Sequence, residues 1–249
     1  MDVQLTDYTG YGLDDPARRA ANVLLFTKST RLNMSAALMH EIEAWPQEKV
    51  DDELKYMADT LPSSWEFLHL SFSITGVTRA FTHQLVRTRT ASYAQQAMRI
   101  VKVNEGAGWD HLIPNKIDAD ELMLKEYEDA MANIAQCHKH LMSLGADAQD
   151  ARGILPTNIL TNICMSINFR NFCDLVKKRD SYRVQGEYRD VVHLMVERVL
   201  HIWPWANVFI NSSAAKDARE LEAMILNIPN LDEKYALSMI KKVYKLRNV

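Results

Sequence analysis

The chain has 249 residues, 47% of them hydrophobic and 24% charged, with 29 Lys and Arg against 32 Asp and Glu. A chain this long buries a sizeable core without staples, and its net charge of −3 excludes a general nucleic-acid binder, which is basic across a whole face. The three cysteines, Cys137, Cys164 and Cys173, are odd in number and loosely spaced, so neither a disulfide framework nor a zinc pattern is supported and no metal site is expected. No run approaches the roughly 18 apolar residues of a membrane span. The opening stretch MDVQLTDYTGYGLDD lacks the basic segment and apolar run of a secretory signal. A cytoplasmic protein with reduced thiols and no membrane partner is the expectation.

With only 8 Gly and 7 Pro, helices are favoured over a many-turned β fold. Asp14 or Asp15 before Pro16 predicts a helix start. Ser35 to Trp45 reads as a second helix stopped by Pro46, and Asp51 to Thr60 as a third. Between Phe67 and Thr78 the period changes: Leu68, Leu70, Phe72 and Ile74 alternate with His69, Ser71 and Ser73, as in a half-buried strand. Gly76 permits a turn, and Thr78 or Thr82 then starts a helix on which Arg79, His83 and Arg87 share one face. Thr90 to Lys102 reads as a loop and a strand. A long amphipathic helix over Asp118 to Leu144 is closed by Gly145, and a short one runs from Asp147 to near Pro156. Thr157 to Asn168 suits a strand, and Arg170 to Arg179, Glu187 to Val199 and Leu231 to Leu246 suit helices. No repeat or linker is visible, which predicts one domain over residues 1–249. The expected class is α+β, with a central, mainly antiparallel sheet flanked by long helices.

Several chemistries are absent. There is no G-x-G-x-x-G after a strand, no G-x-x-x-x-G-K-[ST], no H-E-x-x-H and no G-x-S-x-G. Cys173, between Phe172 and Asp174 at a helical position, reads as a packed core residue rather than a nucleophile.

Two basic clusters remain. One is Arg79, Arg87, Arg89 and Arg99, in a stretch from Phe67 to Asn104 that holds no Asp or Glu. The other is Arg170, Lys177, Lys178, Arg179 and Arg183, with Arg152 between the two in sequence. For Lys177 and Lys178 a solvated helix face is the natural reading, because Asp174 and Asp180 are close by. The first cluster calls for another source of negative charge. Guanidinium forks match phosphate oxygens in two-pronged hydrogen bonds, so an anionic ligand is expected there.

The segment HQLVRTRTASYAQQAMR at 83–99 resembles the signature of the flavin-dependent thymidylate synthases, in which Arg-His-Arg is followed after seven residues by Ser. Three further segments resemble that family in the same order: EFLHLSFSI with GVTRAFTHQLVR, then ARGILP at 151–156, then NFRNFCDLVKKR at 168–179. The resemblance covers roughly residues 55 to 205. It implies an enzyme that binds FAD and moves a one-carbon unit from methylenetetrahydrofolate to C5 of a pyrimidine deoxynucleotide monophosphate, with NADPH as reductant and without an enzyme cysteine. It also implies a homotetramer with sites where subunits meet. By position, Gln84, Arg87, Gln95, Gln96, Ala97, Arg99, Arg152 and Arg179 would hold the nucleotide. Ser63, Arg87, Thr88, Arg89, Gln95, Asn168, Arg170 and Asp174 would hold FAD. Arg179 would be the catalytic residue, a cation against the pyrimidine ring that makes C5 more nucleophilic.

The chain departs from the family pattern at several of these positions. Thr88 replaces the central histidine, Ala97 the final serine, Gln95 a glutamate, Ala94 an asparagine and Asp174 an asparagine. Met98 stands where glycine is common, and Arg183 near a histidine. Three enzyme readings follow: dUMP methylation first, dCMP methylation second, and a hydroxymethyl product third. Exchanges of Glu to Gln and Asn to Asp alter donor and acceptor counts as a change of base requires. A reading from another class is a non-catalytic nucleotide- or nucleic-acid-binding relative, with Tyr93 stacking on a base. The acidic balance and the retention of Arg152 and Arg179 count against it.

Overall fold

The computed structural model describes all residues except 31, 33, 98–109, 180–185, 212, 230 and 248–249. The order is β1 (Asp2–Tyr8), α1 (Pro16–Lys28), α2 (Ala36–Glu43), α3 (Gln47–Thr60), β2 (His69–Thr78), α4 (Arg79–Leu85), β3 (Ala91–Gln95), α5 (Asn115–Asp118) and α6 (Glu121–Ser143). Then come α7 (Ala148–Ala151), β4 (Leu160–Asn168), α8 (Phe169–Arg179), α9 (Gly186–Ile202), α10 (Asn207–Ile210), α11 (Ser213–Leu226) and α12 (Glu233–Arg247). The four strands form one antiparallel sheet in the order β1-β2-β4-β3, so the class is α+β as expected.

The described residues divide into two compact units. One comprises Met1–Asp7, Ser71–Ile167 and Tyr182–Met195; the other comprises Tyr8–Leu70, Asn168–Ser181 and Val196–Val249.

The first unit is built on the sheet. Phe72, Ile74 and Val77 of β2 and Ile163, Met165 and Ile167 of β4 are buried, together with Phe81 and Leu85 of α4 and Tyr188, Val191, Val192 and Met195 of α9. The Phe81 and Tyr188 rings meet edge to face, with centroids 5.0 Å apart. The opposite sheet face carries small polar groups: Ser92 pairs with Ser166 across β3 and β4, and the Ser166 hydroxyl meets that of Ser71 at 3.2 Å. Asp120 caps the start of α6, its carboxylate accepting from the amides of Leu122 and Met123. It packs Met131 on Ile159, with Tyr127, Ile134 and Leu155 around them.

The second unit is held by aromatics. Trp203 stacks on Trp205 with centroids 5.6 Å apart, and Phe169 lies edge-on to Trp203 at 5.8 Å. α1 packs on α2 and α3. Asp15 caps α1 by accepting from the Arg18 amide at 2.8 Å, and Arg18 Nη2 donates to the carbonyls of Ile42, Glu43 and Trp45 at the end of α2. The Ile42 carbonyl also accepts from the Trp45 amide at 3.1 Å, and a cation suits the negative end of the helix dipole.

Several boundaries differ from the sequence expectation. β1 was not foreseen, because Asp7 interrupts the apolar face of Val3 and Leu5. α3 begins at Gln47, directly after Pro46, rather than at Asp51. Gly76 makes no turn: with φ +64 it sits inside β2, which runs on to Thr78. α4 closes at Leu85 with Val86 as its C-cap, so Arg87 does not share a helix face with Arg79 and His83. α5 is separate from α6, which starts at Glu121 rather than Asp118, and α11 was missed. Among the described residues no helix is long and apolar enough to cross a membrane.

Candidate functional site

In the first unit the β2–α4 junction sets the arginines. Thr78 is the N-cap of α4, its hydroxyl accepting from the Phe81 amide at 3.0 Å. Glu187, in the first turn of α9, accepts from both the Thr78 amide at 2.7 Å and the Thr78 hydroxyl at 2.6 Å. The next two amides, of Arg79 and Ala80, donate to the carbonyls of Ile159 and Thr157. The start of α4 is thereby tied to the segment that follows Arg152. This brings Arg79 near Arg152: burial, and then the charge of Arg152, push the Arg79 guanidinium below its ordinary pKa. Arg152 Nε donates to the Gln149 carbonyl at 3.0 Å. Among the described residues no ion pair joins Arg79, Arg87, Arg89 or Arg152 to a carboxylate.

Arg87, Thr88 and Arg89 lie in the turn after α4, with Arg87 and Arg89 exposed and Thr88 and Gln84 half-buried. Tyr93 of β3 fixes this turn. Its hydroxyl lies 2.9 Å from the carbonyls of both Leu85 and Thr88, which share its one hydrogen, and burial pushes its pKa up to about 12. Tyr93 is therefore a brace for the arginine turn, not an exposed platform for stacking a base. Gln95 Nε2 donates to the Thr82 hydroxyl at 2.9 Å. Gln96 is held across the sheet, its Oε1 accepting from Asn162 Nδ2 at 3.0 Å. Ala97 is exposed. Met98 and Arg99 lie outside the described residues, as does Arg183.

The second unit holds the other candidates. Asn168 caps α8, its Oδ1 accepting from the Asn171 amide at 2.9 Å. Arg170 forms an ion pair with Glu66, which lies in the short 3-10 helix Pro62–Phe67 that also carries the exposed Ser63. α8 packs against that 3-10 helix. Asp174 and Arg179 are half-buried, Arg179 in the last turn of α8. Lys177 Nζ lies over the Trp65 ring, 5.8 Å from its centroid. Cys173 is fully buried and burial raises its thiol pKa strongly, in keeping with a core residue.

Each unit thus gathers its own share of the candidates: Gln84, Arg87, Thr88, Arg89, Gln95, Gln96, Ala97 and Arg152 in one, and Ser63, Asn168, Arg170, Asp174 and Arg179 in the other. Sequence reasoning missed Thr82 and Glu187 as partners of this machinery. Glu187 lies 109 residues from Thr78 and has no local signal.

A family model described as thymidylate synthase complementing protein matches residues 5–205. The chain belongs to this family. Proteins similar to it include the flavin-dependent thymidylate synthase of Geobacter sulfurreducens, 34% identical over 139 residues, which are 56% of this chain and 60% of the relative. That of Pyrococcus abyssi is 35% identical over 135 residues, covering 54% and 55%. That of Sulfurisphaera tokodaii is 30% identical over 209 residues, covering 82% of this chain and 75% of the relative. The chain therefore spans less than two thirds of the length of the first two relatives.

Proposed function

We propose that the protein is a flavin-dependent thymidylate synthase. It transfers a one-carbon unit from methylenetetrahydrofolate to C5 of a pyrimidine deoxynucleotide monophosphate, converting dUMP to dTMP with NADPH as reductant. The observation that carries the reading is the arginine set of the first unit: Arg79, Arg87, Arg89 and Arg152, with no carboxylate paired to any of them among the described residues. The names of the relatives support the same activity.

The residues present fit a flavin dinucleotide. Arg87 and Arg89 are exposed forks on a braced turn, suited to a pyrophosphate. Asn168 spends its Oδ1 on the helix cap, which leaves Nδ2 to donate. Ser63, Thr88, Gln95, Arg170 and Asp174 complete the FAD assignment. The flavin, when bound, supplies the reducing electrons that turn the transferred one-carbon unit into a methyl group.

For the nucleotide, Arg87, Arg99 and Arg152 neutralise the 5′-phosphate, while Gln84, Gln95, Gln96 and the small Ala97 fit around its sugar and base. Arg179 is assigned to the pyrimidine. A cation at N3 or O2 lowers the cost of developing enolate character and raises the electron density at C5. No thiol is assigned, in keeping with the buried and protonated Cys173. The protein acts as a homotetramer in the cytoplasm.

The test is incubation of the purified protein with methylenetetrahydrofolate, NADPH and either dUMP or dCMP, followed by mass measurement of the nucleotide. A gain of one methyl on dUMP is expected. A gain on dCMP alone moves the assignment to that base, and a colourless protein that takes up no FAD overturns the reading.

A further inference from the structure

Thr82 is fully buried, and its hydroxyl donates its single hydrogen to the Arg79 carbonyl at 3.1 Å. Toward Gln95 it therefore acts as an acceptor, and Gln95 Nε2 donates to it at 2.9 Å. The arrangement decides an orientation that an amide alone leaves open, since oxygen and nitrogen have nearly the same shape. The nitrogen is committed to Thr82, and Oε1 is turned to the other side. Gln95 is half-buried at the end of β3, and among the described residues nothing donates to its Oε1.

From this geometry we infer that Thr82 is a positioning residue: it holds the Gln95 amide so that Oε1 accepts a hydrogen bond from an N–H or O–H of the bound nucleotide. The inference rests on the nucleotide reading above and names a determinant of it. Both donors occur in dUMP, at uracil N3 and at the sugar 3′-hydroxyl. A carboxylate at position 95 has no hydrogen for Thr82. The hydroxyl, with its one hydrogen directed at the Arg79 carbonyl, would have to give up that bond to serve the carboxylate. Thr82 and a neutral amide at 95 therefore belong together, and the pair offers the ligand an uncharged acceptor of fixed direction.

The experiment is titration calorimetry of dUMP, and of 2′,3′-dideoxyuridine monophosphate, with the full chain and with Thr82→Val, Thr82→Ser, Gln95→Ala and Thr82→Val/Gln95→Ala. Thr82→Val is expected to weaken dUMP binding about fivefold, the weight of one neutral hydrogen bond. Thr82→Ser should stay within about twofold of the parent, and Thr82→Val should cost nothing further once Gln95 is Ala. Thr82→Ala serves in place of Val if the bulkier variant does not fold. A loss seen for dUMP but not for the dideoxy analogue makes the sugar hydroxyl the donor; equal losses make it the base. Unchanged binding in Thr82→Val overturns the inference alone, as does the same loss in the Gln95→Ala background, because Thr82 would then act by another route. A parent protein that binds neither nucleotide overturns the nucleotide reading and the inference with it.

Discussion

Two strand-to-helix junctions, β2–α4 and β4–α8, carry the clusters Arg79, Arg87, Arg89 and Arg170, Lys177, Lys178, Arg179, and they treat them differently. Both pass from strand to helix without a loop, and both open on a side-chain cap, Thr78 in one and Asn168 in the other. At β4–α8 the first arginine, Arg170, is matched by Glu66, and Lys177 lies over an indole ring. At β2–α4 no carboxylate among the described residues meets Arg79, Arg87 or Arg89, and the acid that does approach, Glu187, is spent on the Thr78 backbone and hydroxyl. A partnered cation such as Arg170 has its charge balanced within the protein itself. Unmatched ones would keep their charge for the proposed anionic ligand, and burial together with the like charge of Arg152 lowers the pKa of Arg79.

The sharpest way to break this contrast is at its two ends. Arg87→Ala is expected to lower kcat/KM for dUMP about a hundredfold, as loss of a pair of charge-assisted hydrogen bonds implies, while urea unfolding stays within about 0.5 kcal/mol of the parent, because the exposed side chain supports nothing in the fold. A comparable loss of stability would make Arg87 structural and erase the distinction. Arg179→Ala is expected to depress turnover on the order of a hundredfold and to leave flavin retention, read by visible absorbance of the purified protein, within about twofold. Equal loss of both would reassign Arg179 to the flavin.

The caps give the next contrast. Glu187→Ala removes two acceptor oxygens from Thr78 at once and should lower unfolding free energy by about 2 to 3 kcal/mol, against about 1 kcal/mol for Asn168→Ala, which removes one capping bond. Equal values would mean that the clamp on α4 carries no extra weight. The smallest effect is at Tyr93. Its folded-state pKa of about 12 lies above the ordinary value of 10, so the folded state keeps the proton longer than the unfolded chain does. Stability from this group is complete below pH 10 and declines as pH rises toward 12. Tyr93→Phe should unfold with a shallower alkaline decline across that window, measured by thermal denaturation, and an unchanged profile would remove Tyr93 as the brace of the arginine turn.

Much of the fold was legible wherever the signal is local. Asp15 before Pro16 caps α1, Gly145 at φ +91 closes the turn after α6, and the alternation of β2 and β4 reads directly as one buried and one exposed face. The candidate residues were legible through the motif that Arg87, Arg89, Arg152, Asn168 and Arg179 carry. β1 escaped because Asp7 falls on the face of Val3 and Leu5, and the early end of α4 escaped because the Leu85 carbonyl meets the hydroxyl of Tyr93, eight residues on and in β3.

By itself, then, the sequence determined the class of fold, the family and which cations lack acids nearby in the chain, since caps, periodicity and short-range charge balance are properties of adjacent residues. Only the tertiary structure decided which of those cations stay unmatched. It brought Glu66 to Arg170 across 104 residues and Glu187 to Thr78 across 109. It also turned the Gln95 amide by giving it a buried hydroxyl that has already spent its hydrogen. The physical reason is that a hydrogen bond or ion pair depends on ångström separations and on which lone pairs remain free, and neither is specified until distant segments have packed.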